Sequence, residues 1–348
     1  MNKMRVKVWT TLRWTAALLL AGLAAWLSLR QVRWPSVQTI LTGASLPLLA
    51  LALSTVLATT VAKALRWQAL LRLCGPPPGL GRLLRLIFIG QMGNSLLPAR
   101  LGDVARAALV GPQTGGGFLA AMGTLLAEKA LDGALGLLIL IGLALWTLPG
   151  VSGDEPLPGW LRGPLMGLAA LTGGLLAVLG LAAIPGRTAD RLFAALTRPL
   201  PTRFQERLRR WLAGLGLGLS LLRRPGDAWR ALVCSAIVWG LAALTNVVTL
   251  AALDIQTPGW STWLVLVTGY AVNFLPPVPA QIGLFEYACI LALAAAGVGH
   301  EPALAFGLVL HLLVSGPPAL LGPVSMAAEG LSWGRLWSGP LEDTDGTA

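Results

Sequence analysis

The polar positions along this chain are separated by long stretches without a single charged side chain: 34–62, 163–186, 231–253, 255–285 and 302–328. Each exceeds the roughly 20 apolar residues that carry a helix across about 30 Å of hydrocarbon. Irregular backbone and open sheet edges are not tolerated against lipid, so every element predicted is a helix. Spans are expected near 10–29, 40–62, 117–148, 161–184, 230–252 and 302–326. Three shorter apolar segments lie between them, at 83–98, 260–276 and 282–298. In the first, the uncharged stretch 86–99 is only 14 residues long, contains Asn94 and Ser95, and runs into Pro98. Proline cannot continue the helical hydrogen-bond ladder. Such a segment reads as a re-entrant or half-helix rather than a crossing.

Composition agrees. With 55% hydrophobic and 12% charged residues and a mean hydropathy of +0.71, the chain lacks the polar surface of a water-soluble protein. The net charge of +11 is spread over short connections, with no basic domain to hold a duplex, so nucleic acid is not an expected partner. Cys74, Cys234 and Cys289 lie far apart, and His300 and His311 are not spaced as ligands on one turn. Neither a disulfide scaffold nor a metal site is expected, and no cofactor is implied.

The charges instead report topology. Lys and Arg accumulate in cytoplasmic connections. Lys3, Arg5, Lys7 and Arg13 precede the first span, and Lys63, Arg66, Arg72, Arg82 and Arg85 follow the second. Residues 185–230 hold ten Arg against Asp190, Glu206 and Asp227, whereas Asp154, Glu155 and Asp254 mark the other connections. The reading is a multi-pass protein of the cell membrane with a cytoplasmic N-terminus. Leu29-Arg30-Gln31-Val32-Arg33 offers no cleavage site, so 1–30 reads as a retained span rather than a signal peptide. Within 200–224, Phe204, Leu208, Trp211, Leu212 and Leu215 oppose Arg203, Arg207 and Arg210, an interfacial-helix pattern. Trp9, Trp14, Trp34, Trp67, Trp160, Trp211 and Trp229 fall near span ends, as membrane-interface anchors do. The expected organisation is one membrane domain over 1–330, with halves 1–184 and 228–330, a basic amphipathic connection 185–227, and a short tail 331–348.

The two halves share an interruption. Asn94-Ser95-Leu96-Leu97-Pro98, followed by Gly102-Asp103, recurs in outline as Asn273-Phe274-Leu275-Pro276, followed by Gly283 and Glu286. Corresponding breaks in two halves point to a transporter-type site at a repeat interface. A helix that starts inside the membrane offers free N–H groups and the positive end of its dipole to an anion. Arg100 and Arg106 add donor forks that match phosphate oxygens. In 117–148, Glu128 and Asp132 share a helix face, and Lys129 is placed to pair with Asp132. Ionisable residues within a span face a bundle interior or an aqueous cavity. Glu286 is the most isolated charge, with 31 uncharged residues before it and 14 after. It either caps the restarting helix or contacts a proton or head group, and the sequence leaves both open. His311 reads as a hydrogen-bonded interior residue, with a proton relay as the alternative.

The run Asn94-Ser95-Leu96-Leu97-Pro98-Ala99-Arg100-Leu101-Gly102-Asp103-Val104-Ala105-Arg106 resembles the lysylphosphatidylglycerol synthase transmembrane region family, also described as flippase-like integral membrane proteins. That family's pattern is N-x-x-L-P-x-R-x-G-E-x-x-R, then an E-R-x-x-D-like motif, then a proline-glycine-rich break before G-x-x-E. Here the later motifs stand as Glu128-Lys129-Ala130-Leu131-Asp132 and as Pro276-Pro277-Val278-Pro279-Ala280-Gln281-Ile282-Gly283-Leu284-Phe285-Glu286. Asp103 replaces the usual Glu, Lys129 the usual Arg, and Ala280 a common Gly. The resemblance implies an all-α polytopic bundle of about 7–8 spans with two re-entrant or broken helices, and the matched breaks suggest an inverted pseudo-repeat. It implies movement of phospholipids or of polyprenyl- and glyco-linked lipids. The synthase activity of bifunctional members, carried by a following soluble domain, is expected to be absent.

The function expected is a flippase or transporter, not an enzyme, for an anionic phosphate-bearing lipid. Asn94, Pro98, Arg100, Gly102, Asp103, Arg106, Glu128, Lys129, Asp132, Asn273, Pro276, Pro279, Gly283 and Glu286 form its substrate-binding set. Gly115-Gly116-Gly117 lacks the Lys-Ser/Thr of a phosphate-binding loop, so energy must come from a gradient or a partner. The rivals are an intramembrane lipid-modifying enzyme using Glu128 and Asp132, and an accessory subunit that recruits lipid- or glycan-synthesis enzymes.

Overall fold

A computed structural model describes residue 19 and residues 22–30, 32–96, 101–146, 162–183, 224–272 and 281–332. All regular structure among them is helical. Residues 22–29 form a helix. There follow α1 (Trp34–Thr42), α2 (Leu46–Leu71), α3 (Leu80–Leu96), α4 (Leu101–Val110), α5 (Gly117–Trp146), α6 (Arg162–Ala183), α7 (Pro225–Ala252), α8 (Gly259–Val272), α9 (Leu284–Ala295) and α10 (His300–Ala328). Four of them, α2, α5, α7 and α10, are long and apolar enough to cross a membrane. Their outer faces are large aliphatics: Leu46 and Leu320 are each 75% exposed. Only hydrocarbon tolerates so much uncovered apolar surface.

The span expected at 40–62 is corrected. Gly43 ends α1, Pro47 opens α2, and α2 continues past Ala62 to Leu71. Lys63 and Arg66 therefore lie inside a helix and not in a connection. Gly75-Pro76-Pro77-Pro78 is the segment that stops it. The beginning of the span expected at 10–29, residues 200–223 of the amphipathic segment and the residues from 333 onward lie outside the described residues.

The long pair α2–α7 is joined by small and hydroxylated side chains, among them Ala52, Thr55, Ala62, Ser235 and Thr245, all buried. The Thr55 and Thr245 hydroxyls bond each other at 2.8 Å. Small residues permit close helix approach in lipid, and interhelical hydroxyl bonds hold it. α6 lies along α5, with Thr172 Cγ2 3.3 Å from where a Cβ on Gly133 would stand.

Contacts between element ends fix the topology. At one end Arg224 Nη1 donates to the Arg72 carbonyl at 3.1 Å. There too the Nε groups of Arg82 and Arg85 hold Glu329 at 3.0 and 2.7 Å, and the Gly115 N–H reaches the Cys74 carbonyl at 2.7 Å. This basic end thus collects the end of α2, the starts of α3, α5 and α7, and the end of α10. At the opposite end the Ser45 N–H donates to the Ala252 carbonyl at 2.8 Å and Arg33 Nε to Glu301 at 2.9 Å.

Two helical hairpins enter between these ends from opposite sides. α3 leaves the basic end, and α4 returns to it. The 17 residues of α3 and 10 of α4 reach about 26 and 15 Å at 1.5 Å per residue, short of a crossing. The arms touch backbone to backbone, for a Cβ on Gly102 would collide with the Gly90 carbonyl oxygen. α8 leaves the opposite end and α9 returns to it, with the Phe285 ring 3.5 Å from a Cβ placed on Gly269. α10 lies against both. Gly307 backs onto Glu286 of α9, and Gly322 onto Met92 of α3.

Candidate functional site

A network of seven ionisable side chains forms where α4 returns between α2 and α5. Arg66 on α2 is fully buried. Its Nη1 and Nη2 bond the two Asp132 oxygens at 2.5 and 3.2 Å, Nη2 reaches Glu128 Oε1 at 3.2 Å, and Nη1 donates to Ser235 Oγ at 3.2 Å. On the other side of Glu128, Arg106 Nη2 lies 3.5 Å from Oε2. Arg106 Nη1 lies 3.5 Å from Asp103, whose second oxygen is 3.6 Å from Lys129 Nζ. Lys63, one turn before Arg66, feels the charges of Asp132 and Glu128.

Aromatic residues frame this network. The Arg106 guanidinium carbon sits 4.2 Å from the centre of the Trp67 ring, a cation–π geometry. The Trp67 indole N–H donates to Thr124 Oγ1 at 3.1 Å, and Trp239 Nε1 to Asp132 Oδ1 at 3.3 Å. Trp67 is thus buried in the bundle and is not an interface anchor, whereas Trp34 and Trp229 are exposed as anchors should be. The Nε atoms of Arg66 and Arg106 are buried without a hydrogen-bond partner, which leaves two donors unspent inside the site. Asn94 at the end of α3 accepts the Asp103 N–H on Oδ1 at 3.1 Å. One arm of the hairpin thereby caps the start of the other.

The second hairpin carries its own pair. Gly283, at φ +83°, gives its N–H to Glu286 Oε2 at 2.7 Å, which closes the first turn of α9. Glu286 Oε1 lies 2.5 Å from His311 Nδ1 on α10. Both residues are largely buried, and the His311 ring packs 5.1 Å from that of Phe285.

Residues 14–322 match a family model described as the lysylphosphatidylglycerol synthase TM region. The chain belongs to this family. This member of the lysylphosphatidylglycerol synthase TM region family is also similar to a UPF0104 membrane protein of Methanothermobacter thermautotrophicus, at 23% identity over 285 residues, 75% of this chain and 77% of that protein. It is accordingly a multi-pass membrane protein.

In this family member the structure gathers Asn94, Gly102, Asp103, Arg106, Glu128, Lys129 and Asp132 into one network. Gly283 and Glu286 stand apart, on the other hairpin. Pro98, Arg100, Asn273, Pro276 and Pro279 lie outside the described residues. One pairing is corrected: Lys129 reaches Asp103 across the α4–α5 contact, and Asp132 is taken by Arg66. Tertiary partners outcompete a neighbour on the same helix because burial requires each carboxylate to meet a cation at close range. Sequence reasoning missed Arg66, Lys63, Ser235 and Trp239. The signal for the first two was that no helix-stopping residue occurs before Gly75.

Proposed function

We propose that this protein moves an anionic, phosphate-bearing lipid across the cytoplasmic membrane, as a transporter rather than an enzyme, with the basic end in the cytoplasm. The observation that carries this reading is the make-up of the buried network. Arg66, Arg106 and Lys129 pair with Asp103, Glu128 and Asp132, Lys63 adds a further basic group one turn before Arg66, and the two guanidinium Nε donors remain unspent. A phosphate is the chemical complement of basic groups with free, fork-shaped donors. The hairpins support the same reading. Segments that enter from opposite ends and stop part-way place helix termini at mid-depth, where transporters hold charged cargo. Arg100, between Leu96 and Leu101 in the sequence, is a further guanidinium for the head group in this reading. The Arg72, Arg82, Arg85 and Arg224 cluster supports a cytoplasmic basic end, because Lys and Arg accumulate on that side.

The test is a translocation assay on purified protein in liposomes with fluorescently labelled phosphatidylglycerol, labelled polyprenyl phosphate and labelled phosphatidylcholine. The wild type is expected to move a phosphate-bearing lipid with net negative charge faster than the zwitterionic one. Arg100→Ala and Arg106→Gln are expected to remove that selectivity while the protein stays monodisperse. Failure to move either anionic lipid would overturn the proposal and bring the accessory-subunit reading forward.

A further inference from the structure

The Glu286–His311 pair belongs to neither the charged network nor its phosphate chemistry. By depth it lies at the middle of the membrane: Glu286 is nine residues from the end of α9 and His311 eleven from the start of α10, about 14 and 16 Å at 1.5 Å per residue. That is half of a core about 30 Å thick. A carboxylate and an imidazole at 2.5 Å share one proton position between Oε1 and Nδ1. With neutral histidine and ionised glutamate the pair carries −1, and uptake of one proton from water makes it neutral. Burial penalises the charged state.

Among the described residues, the other ionisable groups on the packed elements are accounted for elsewhere. α8 carries no Asp, Glu, Lys, Arg or His, nor does the sequence 273–280, and the Tyr270 phenol on α8 lies beside Trp239. On α9 itself the neighbours are Tyr287 and the buried Cys289 thiol. Elsewhere on α10, His300 is bonded to the Ser28 carbonyl at 2.8 Å and Glu301 to Arg33 at 2.9 Å. Arg30, past the helix at 22–29, lies over Trp26.

The pair is also mechanically placed. One carboxylate both closes the first turn of α9 through the Gly283 N–H and holds α10 through His311. It does so directly after Gln281 and Gly283, both in the left-handed backbone region at φ +57° and +83°. A change in its charge therefore alters, at one atom pair, the hold of the second hairpin on its neighbour. We infer that Glu286 and His311 form a proton-binding site whose occupancy sets the position of the second hairpin and couples proton flow to lipid movement. The coupling rests on the transport function proposed above; the proton site does not.

Two measurements separate them. Infrared difference spectra of the full-length protein in lipid, taken across a pH titration, read the site directly. A protonated-carboxyl or imidazole signal that titrates in the wild type and vanishes in Glu286→Gln supports it. An unchanged spectrum in that variant overturns it. Gln keeps an oxygen for the Gly283 N–H and an N–H for His311, so the fold is expected to survive; His311→Asn gives a second route to the same reading. The coupling is read in liposomes with labelled phosphatidylglycerol and an imposed gradient of one pH unit, which for one proton per lipid drives up to about tenfold accumulation. Accumulation in the wild type that Glu286→Gln reduces to simple equilibration supports coupling. Equal behaviour of wild type and variant overturns coupling while leaving transport intact. If no lipid moves in either, the transport proposal and the coupling fall together, and the infrared titration still decides the proton site.

Discussion

Replacing Arg66 by Met is the sharpest probe of the charged network. Met keeps the stem volume and deletes the charge. The wild-type guanidinium is fully buried and serves Asp132 through two bonds, Glu128 through one and Ser235 through one. After the substitution Glu128 still faces Arg106, at 3.5 Å, but Asp132 keeps only the Trp239 indole N–H at 3.3 Å. One largely buried carboxylate then has no cation in contact and only the more distant charge of Lys63, a situation that costs up to about 3–5 kcal/mol. Asp132→Leu removes the other partner and leaves Arg66 with Glu128 and Ser235, so its cost should be smaller, about 1–3 kcal/mol. The double variant Arg66→Met/Asp132→Leu has no orphan and should regain much of the loss. The assay is unfolding of the four proteins in mixed micelles with increasing SDS, followed by helical circular dichroism. Additivity of the two single changes within about 0.5 kcal/mol would refute the reasoning, because uncoupled residues add to that tolerance.

Three further outcomes are expected. Gly102→Ala should destabilise by about 1–3 kcal/mol or more, because its methyl group meets the backbone of Gly90 and Asn94, whereas at Gly322→Ala the obstacle is the side chain of Met92; equal costs in the same unfolding assay would contradict this. Burial pushes the Cys74 thiol up from its ordinary range, so its reactive thiolate is scarce at pH 7; maleimide labelling of folded protein should be slow there and accelerate as pH rises, and fast labelling at neutral pH would be the contrary result. Pro317 and Pro318 lie inside α10 and leave the Leu313 and Val314 carbonyls without their helical donors; Pro317→Ala/Pro318→Ala should raise the unfolding midpoint and slow lipid movement, and an unchanged transport rate would mean that α10 moves as one rigid rod.

Much of the architecture was legible because hydrocarbon imposes a simple code of apolar length and helix-stopping residues. The interruptions at 83–98 and 260–276 were legible for the same reason, as short apolar segments running into proline, but whether each turns back was not. Arg66 was hidden by that code: a cation after a long apolar run reads as the water edge, and only its partner 66 residues later on α5 reveals a buried site. Lys129 shows the same limit from the other side. Helix spacing offers it Asp132, but the approach of α4, fixed by the glycine contact at positions 90 and 102, brings Asp103 instead. His311 was identified as an interior hydrogen-bonding residue, yet its partner Glu286 could not be chosen until α9 and α10 were placed side by side.

The two hairpins share a local design and differ in what grips them. Each returning arm begins with an acid in its first turn, Asp103 in α4 and Glu286 in α9, where a carboxylate meets the positive end of the helix dipole. Asp103 is held by Arg106 and Lys129, within a network whose arginines keep their charge in proteins. Glu286 is held by His311, the side-chain type whose charge changes between pH 5 and 8. One hairpin is therefore clamped by guanidinium and ammonium groups, and the other by an imidazole–carboxylate pair. On the proposal above, the first hairpin supplies a fixed cationic seat for the head group and the second supplies the movement. Because α10 touches both, at Gly307 and Gly322 on either side of Pro317 and Pro318, a shift at His311 has a short path to the other hairpin. A pH response that survived Glu286→Gln and vanished on substituting Lys129 would reverse this assignment of roles.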